Sequence, residues 1–129
     1  MDDYTRATWV YLLKSKAEVL GCVSVFFIIL LNQFEVKVKT LRSDNGTEFL
    51  NHKMKQLFES KGILHQTSCV HTPQQNGIVE RKHRHILPVA RSLIFQSSLP
   101  LKYWGEAVLT SVFLINRKPT SVLNDASPY

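Results

Sequence analysis

The chain has 129 residues, so residues 1–129 are read as a single domain, of a size that folds without disulfides or a structural metal. Hydrophobic residues make up 44% and charged residues 20%, which excludes a disordered or fibrous chain. Sixteen Lys and Arg against ten Asp and Glu leave a net charge of +6, which suits a nucleic-acid binder without being peculiar to one. Two cysteines, Cys22 and Cys69, supply neither a C-x-x-C zinc site nor a disulfide framework.

Thr8 to Leu13 carries Trp9, Val10, Tyr11 and Leu12, and its aromatic and β-branched content predicts a strand. Val19 to Leu31 is a run of thirteen uncharged residues. A membrane-spanning helix needs about twenty, and the chain opens Met1-Asp2-Asp3 rather than on a basic leader. The run is therefore read as part of a buried helix over Ala17 to Phe34, with no membrane partner. Val36, Val38 and Thr40 alternate with Lys37, Lys39 and Leu41 as a second strand, which ends in Arg42-Ser43-Asp44-Asn45-Gly46. Asn-Gly marks a turn, so Asp44 falls at or near the strand's carboxyl end.

Asn51 is placed to cap a short helix bearing Met54, Leu57 and Phe58, and Gly62 to close it. Ile63 to Val70 predicts a third strand, and Thr72 to Gly77 a polar loop. A longer helix follows from about Ile78 to Gln96, with Val79, Ile86, Ala90, Leu93 and Ile94 as its apolar stripe. Pro88 lies inside it, where it removes a hydrogen bond and kinks the helix. A last helix spans about Leu101 to Asn116, lined by Trp104, Val108, Val112 and Ile115. Strands alternating with helices predict an α/β layer fold.

Asp44 and Glu80 stand out chemically. One ends a strand, where ligands of α/β sheets gather, and the other opens a helix. Two carboxylates from separate elements suit Mg²⁺, a hard cation that takes oxygen ligands. Spacing alone favours the plainer reading, a turn-capping Asp and a Glu at a helix N-terminus. Arg81-Lys82-His83-Arg84-His85 follows Glu80 with no interleaved acid. Such a run is either a solvated helix face or a surface for a polyanion.

Leu41 to Phe49, LRSDNGTEF, resembles the strand-to-turn motif around the second catalytic Asp of retroviral and retrotransposon integrases. His71 to Lys82, HTPQQNGIVERK, resembles the loop and helix start that carry their catalytic Glu. Thirty-five residues separate Asp44 from Glu80, the spacing for which that family is named. Asp3 to Arg6, Trp9 to Tyr11, Tyr103 to Ala107 and Leu114 to Arg117 are similar to copia-type retrotransposon polyproteins in particular. The resemblance covers essentially the whole chain and reverses the plainer reading of the two carboxylates.

The resemblance implies an RNase H-like fold, a mixed sheet flanked by helices. It also implies a three-carboxylate site for two Mg²⁺ or Mn²⁺ ions. The activity implied is DNA integration by phosphoryl transfer, in which element ends are processed and then joined to target DNA. Asp44 becomes the second metal ligand and Glu80 the third. His71, Gln74, Gln75 and Asn76 fall in the DNA-contacting loop, and Lys82 and Arg84 become phosphate contacts. DNA is the implied partner, with self-association of the parent integrase, and the nucleus the implied place of action.

The family pattern places the first catalytic Asp on a strand upstream of Asp3. The expectation is therefore a core without its first strand and most of its second, and without activity on its own. Asp2 and Asp3 fall at a hairpin end and are expected to cap its turn. Cys22 is expected to be a packed thiol, His52 and His65 receive no role, and the aromatics of the last helix are assigned to the core. A non-catalytic nucleic-acid-binding remnant is the competing reading. A membrane-associated fragment ranks below both.

Overall fold

The structure is a computed structural model that describes residues 1–68 and 77–128. Its packing forms two compact units. One comprises residues 1–12 and 78–129, and the other residues 13–77.

The second unit begins with a 3-10 turn at Lys16–Glu18 that runs into α1, Val19–Phe34. The helix ends at Glu35, which is left-handed (φ 56°) and donates its N–H to the Leu31 carbonyl at 3.1 Å, while the Val36 N–H reaches the Leu30 carbonyl at 3.2 Å. Strand β1, Thr40–Ser43, leads into α2, Thr47–Leu50, and α3, His52–Lys61. Asn51 caps α3 through its side-chain oxygen, which accepts from the Met54 N–H at 2.9 Å. Gly62 closes α3 at φ 65°, a conformation that costs glycine nothing. Both caps stand where the sequence puts them. Strand β2, Leu64–Thr67, pairs in parallel with β1, Thr40 opposite Leu64 and Ser43 opposite Thr67.

Phe27, Met54, Phe58 and Ile63 form this unit's core, ringed by half-buried side chains that include Val23, Phe26, Leu41 and Leu57. Only one side of α1 reaches it. Of the sixteen residues of α1, only Phe27 and Leu30 are buried. Val25, Ile28 and Leu31 are about half exposed. The expected buried helix is thus buried along one stripe, because a single small core has no second face to cover the rest. With its leading turn, Lys16–Phe34 is long and apolar enough to cross a membrane by length and composition. Counting uncharged residues alone had made it too short.

The first unit is built from α4, Gly77–Ser97, and α5, Trp104–Arg117, the latter entered through a 3-10 turn at Leu101–Tyr103. Ile86, Ala90 and Ile94 of α4 pack on Ala107, Val108, Val112 and Ile115 of α5. Val79 is exposed and Leu93 half-buried, so the stripe starts later than its sequence suggests. The α-helix continues through Pro88. Pro88 and Arg84 are both exposed, so water can meet the Arg84 carbonyl that loses its partner.

Thr8 to Leu13 is not a strand. Its composition favours extended chain, but a strand needs a ladder partner. Here the side chain of Asn116 takes that part, accepting from the Thr8 N–H at 3.0 Å and donating to the Thr8 carbonyl at 2.8 Å. Trp104 and Phe113 are exposed, correcting their assignment to the core. Phe113 lies on the side of α5 away from its buried stripe, whereas Trp104 lies on that stripe but at the first residue of the helix.

Asp2 caps the N-terminal turn as expected. Its Oδ2 accepts from the Thr5 N–H and the Thr5 hydroxyl, both at 2.7 Å, and these bonds hold its carboxyl below the ordinary value. The same turn places Arg6 in the left-handed region (φ 61°), paired with Asp3 at 3.4 Å.

Candidate functional site: two carboxylates and a basic helix

Asp44 follows the last residue of β1 and is exposed. Its Oδ1 accepts from the Gly46 N–H at 3.1 Å, an Asx turn that fixes the carboxylate. Asn45 ties the turn to the end of β2, its Nδ2 donating to the Ser68 carbonyl at 2.9 Å. The loop is thus anchored to both strands at the carboxyl end of the parallel pair.

Gly46 leaves room for the carboxylates beside it. A Cβ on it would stand 2.9 Å from Glu48 Oε1 and 3.0 Å from Asp44 Oδ1. Two carboxylates therefore flank this glycine. Glu48 is held in its ionised form by its own backbone N–H and by Lys16, whose Nζ lies 3.2 Å away. The sequence reading passed over Glu48, which has no apolar or turn signature.

Beneath the loop, the buried Ser43 donates its hydroxyl to the Asp44 carbonyl at 2.8 Å. The Ser43 hydroxyl is also 2.9 Å from His65 Nε2. With its proton committed, Ser43 Oγ accepts, so the imidazole carries hydrogen on Nε2. His65 lies against the Phe58 ring, centroids 4.8 Å apart, and burial lowers its pKa below the ordinary value. His65 thus has a role the sequence did not give it. Its pairing with Ser43 depends on strand register, which neither strand's own pattern reveals.

Glu80 lies exposed in the first turn of α4, where the helix dipole favours a negative charge. His71, Gln74, Gln75 and Asn76 lie outside the described residues, as does Cys69. Arg84 is exposed one helical turn beyond Glu80, while Lys82 is half-buried on another side of the helix. The two phosphate contacts grouped by sequence are therefore separated. Cys22 is a half-buried thiol whose pKa burial raises, as a packed thiol requires.

Carboxylate oxygens match the ligand preference of Mg²⁺ or Mn²⁺. Asp44 belongs to one compact unit and Glu80 to the other. Among the described residues, no three His, Cys, Asp or Glu side chains gather as a metal cluster.

Residues 1–73 match the integrase core domain family, a span that includes Asp44 and stops short of Glu80. The chain belongs to the integrase core domain family. This integrase core segment is similar to two retrovirus-related Pol polyproteins of Arabidopsis thaliana, from transposons RE2 and RE1. It is 42% and 43% identical to them over 129 residues, all of this chain and 9% of each relative. The segment thus spans about a tenth of the length of the curated relatives it matches. The fold is also that of the HTLV-2 integrase catalytic core domain, solved in complex with magnesium in a trimeric form. The TM-score is 0.73 at 20% identity, covering 98% of this chain and 77% of that one. The RNase H-like architecture expected from the sequence is borne out. The part described here is a parallel pair of strands flanked by helices.

Proposed function

We propose that residues 1–129 form one part of a retrotransposon integrase catalytic core. Within it, Asp44 supplies the second and Glu80 the third carboxylate of a divalent-metal site for DNA integration. The presentation of Asp44 carries this reading. An exposed carboxylate sits at the carboxyl end of a parallel strand, fixed through one oxygen by the Gly46 N–H and, among the described residues, without a hydrogen bond at the other. Ser43, itself met by His65, holds its backbone carbonyl from below, and the missing side chain of Gly46 lets the Glu48 carboxylate approach the turn.

Asp44 and Glu80 would hold Mg²⁺ or Mn²⁺. When bound, such an ion supplies charge stabilisation for phosphoryl transfer, both in 3′-end processing and in strand transfer. The residues of this chain do the positioning. Arg84, one turn after Glu80, binds a phosphate of the DNA backbone beside the carboxylate. Lys82 and the loop residues His71, Gln74, Gln75 and Asn76 add further DNA contacts. Self-association of the parent integrase and action on nuclear DNA belong to the same reading.

The 129-residue polypeptide contributes two of the three carboxylates of the family pattern, so it binds DNA without joining it. A Mg²⁺-dependent assay with donor and target DNA tests this, and efficient joining by the purified polypeptide refutes it. The metal half-site has its own test. Mn²⁺ should broaden NMR resonances around Asp44, and Asp44→Asn should abolish that broadening. A nucleic-acid-binding remnant without chemistry is the second reading, favoured by the lack of a three-ligand cluster among the described residues. It predicts DNA binding with no broadening at Asp44.

A further inference from the structure

The basic run after Glu80 does not present one face. Successive helical residues turn by roughly 100°. Arg84 therefore follows Glu80 closely around α4, whereas Arg81, His85 and Lys82 fall about 100–200° away from it.

On that far side lies a cavity of about 500 Å³ within the first unit. It is lined by Arg81, Lys82 and His85 of α4, and by Arg6 and Lys118 from distant parts of the sequence. Thr120 and Ser121 add hydroxyl groups. No carboxylate lines it among the described residues. The acid paired with Arg6 is Asp3, which lies outside the lining. The volume falls within the range of small-molecule sites, about 300–1,000 Å³.

A concave surface lined by Arg6, Arg81, Lys82 and Lys118, of which Arg6 is paired with Asp3, carries an excess of positive charge. Lys82 feels one of these charges. Burial and the neighbouring Arg6 charge both pull its pKa below the ordinary lysine value. An anion in the cavity would reverse the second of these effects. Guanidinium groups offer paired donors to phosphate oxygens, and a lysine and two hydroxyls supply single ones.

We propose that this cavity is a phosphate-binding site on the side of α4 away from Glu80. Its ligand is a phosphate oxyanion, supplied by a nucleic-acid backbone or by a free polyphosphate. The site goes beyond the integration reading and requires neither Glu80 nor a metal.

Calorimetric titration of the 129-residue chain with pyrophosphate tests it. One saturable site is expected, weakened at least tenfold in Lys82→Ala/Lys118→Ala and unchanged in Arg84→Ala. Lys118→Gln alone, at an exposed loop position, should weaken it severalfold and guards against a double variant that fails to fold. A labelled DNA duplex identifies the source. Displacement of duplex by pyrophosphate assigns the site to a nucleic-acid backbone, and simultaneous binding of both assigns it to a free anion. The proposal is overturned if pyrophosphate fails to saturate, if the lysine variants bind as well as the native chain, or if Arg84→Ala loses as much. Failure of the DNA reading looks different: no duplex binding at low salt, with pyrophosphate binding intact.

Discussion

Asn116 grips the backbone of Thr8 from both sides. Its Oδ1 accepts from the Thr8 N–H at 3.0 Å and its Nδ2 donates to the Thr8 carbonyl at 2.8 Å. One side-chain amide thereby reproduces the two bonds of a neighbouring strand, 108 residues away in sequence. Thr8 is buried, so water does not readily replace them. Asn116→Ala leaves two backbone groups unpaired and is expected to cost about 2 kcal/mol. Urea denaturation measures this, and a loss below about 0.5 kcal/mol would remove the clamp from the account. Asn116→Asp should do no better, because it sets a carboxylate oxygen against the Thr8 carbonyl.

The ends of α3 give a second prediction, since each rests on a single residue. Asn51→Ala removes the oxygen that receives the Met54 N–H and should cost about 1 kcal/mol. Gly62→Ala should cost a similar amount, about 1 kcal/mol, from backbone strain alone. Nothing lies within 4 Å of the position its Cβ would take, so no clash contributes. Gly62→Asn, which tolerates the left-handed region, should recover part of the loss.

These caps were legible in sequence because the residue type and the backbone geometry are tied locally. The same holds for α4 and α5, whose apolar spacing is set by one helical period. What stayed hidden depends on partners. Thr8 to Leu13 has strand composition, yet its backbone is met by a side chain of α5. Periodicity could not show which side of α1 meets a core, since the helix is apolar all round. Asp44 was placed correctly at a strand end by its Asn-Gly turn. The support from Ser43 and His65 was invisible, because it requires the register of β1 on β2. The basic run after Glu80 read as one surface, and only the approach of Arg6 and Lys118 divides it.

His65 makes the second unit sensitive to acid. Burial lowers its folded pKa, so the unfolded chain takes up the proton first as pH falls. Stability from this residue is therefore present above the unfolded histidine value of about 6.5. It is lost as pH drops from there through the lowered folded value, and is flat below both. Denaturation midpoints measured from about pH 8 to pH 5 should fall across that window. His65→Phe should flatten the fall, and an equally steep profile in that variant would place its origin elsewhere.

Arg84 and Lys82 make separable contributions to DNA affinity if both meet phosphates. Each contact released should reduce the slope of log affinity against log salt by about 0.9. Fluorescence anisotropy of a labelled duplex across a salt series reads the slope for Arg84→Ala and Lys82→Ala singly and together. Additive reductions are expected, because the two side chains lie on different sides of α4. An unchanged slope for either variant takes that residue off the DNA surface.

The exposure of α1 is testable at two neighbouring residues. Phe27 is 6% exposed and Ile28 50%. Phe27 packs on Phe58, ring centroids 6.4 Å apart, within the core of its unit. Phe27→Ala should cost about 3–5 kcal/mol through lost burial and the cavity left behind. Ile28→Lys should cost about 0.5 kcal/mol or less, since its side chain already meets water. It should also raise solubility by interrupting the apolar stripe of Val25, Ile28 and Leu31. Thermal melts and concentration limits of the two variants decide the matter. Comparable destabilisation by both would mean that α1 is covered on the Ile28 side as well. Loss of vesicle co-sedimentation in Ile28→Lys would instead show that a lipid surface is what covers it.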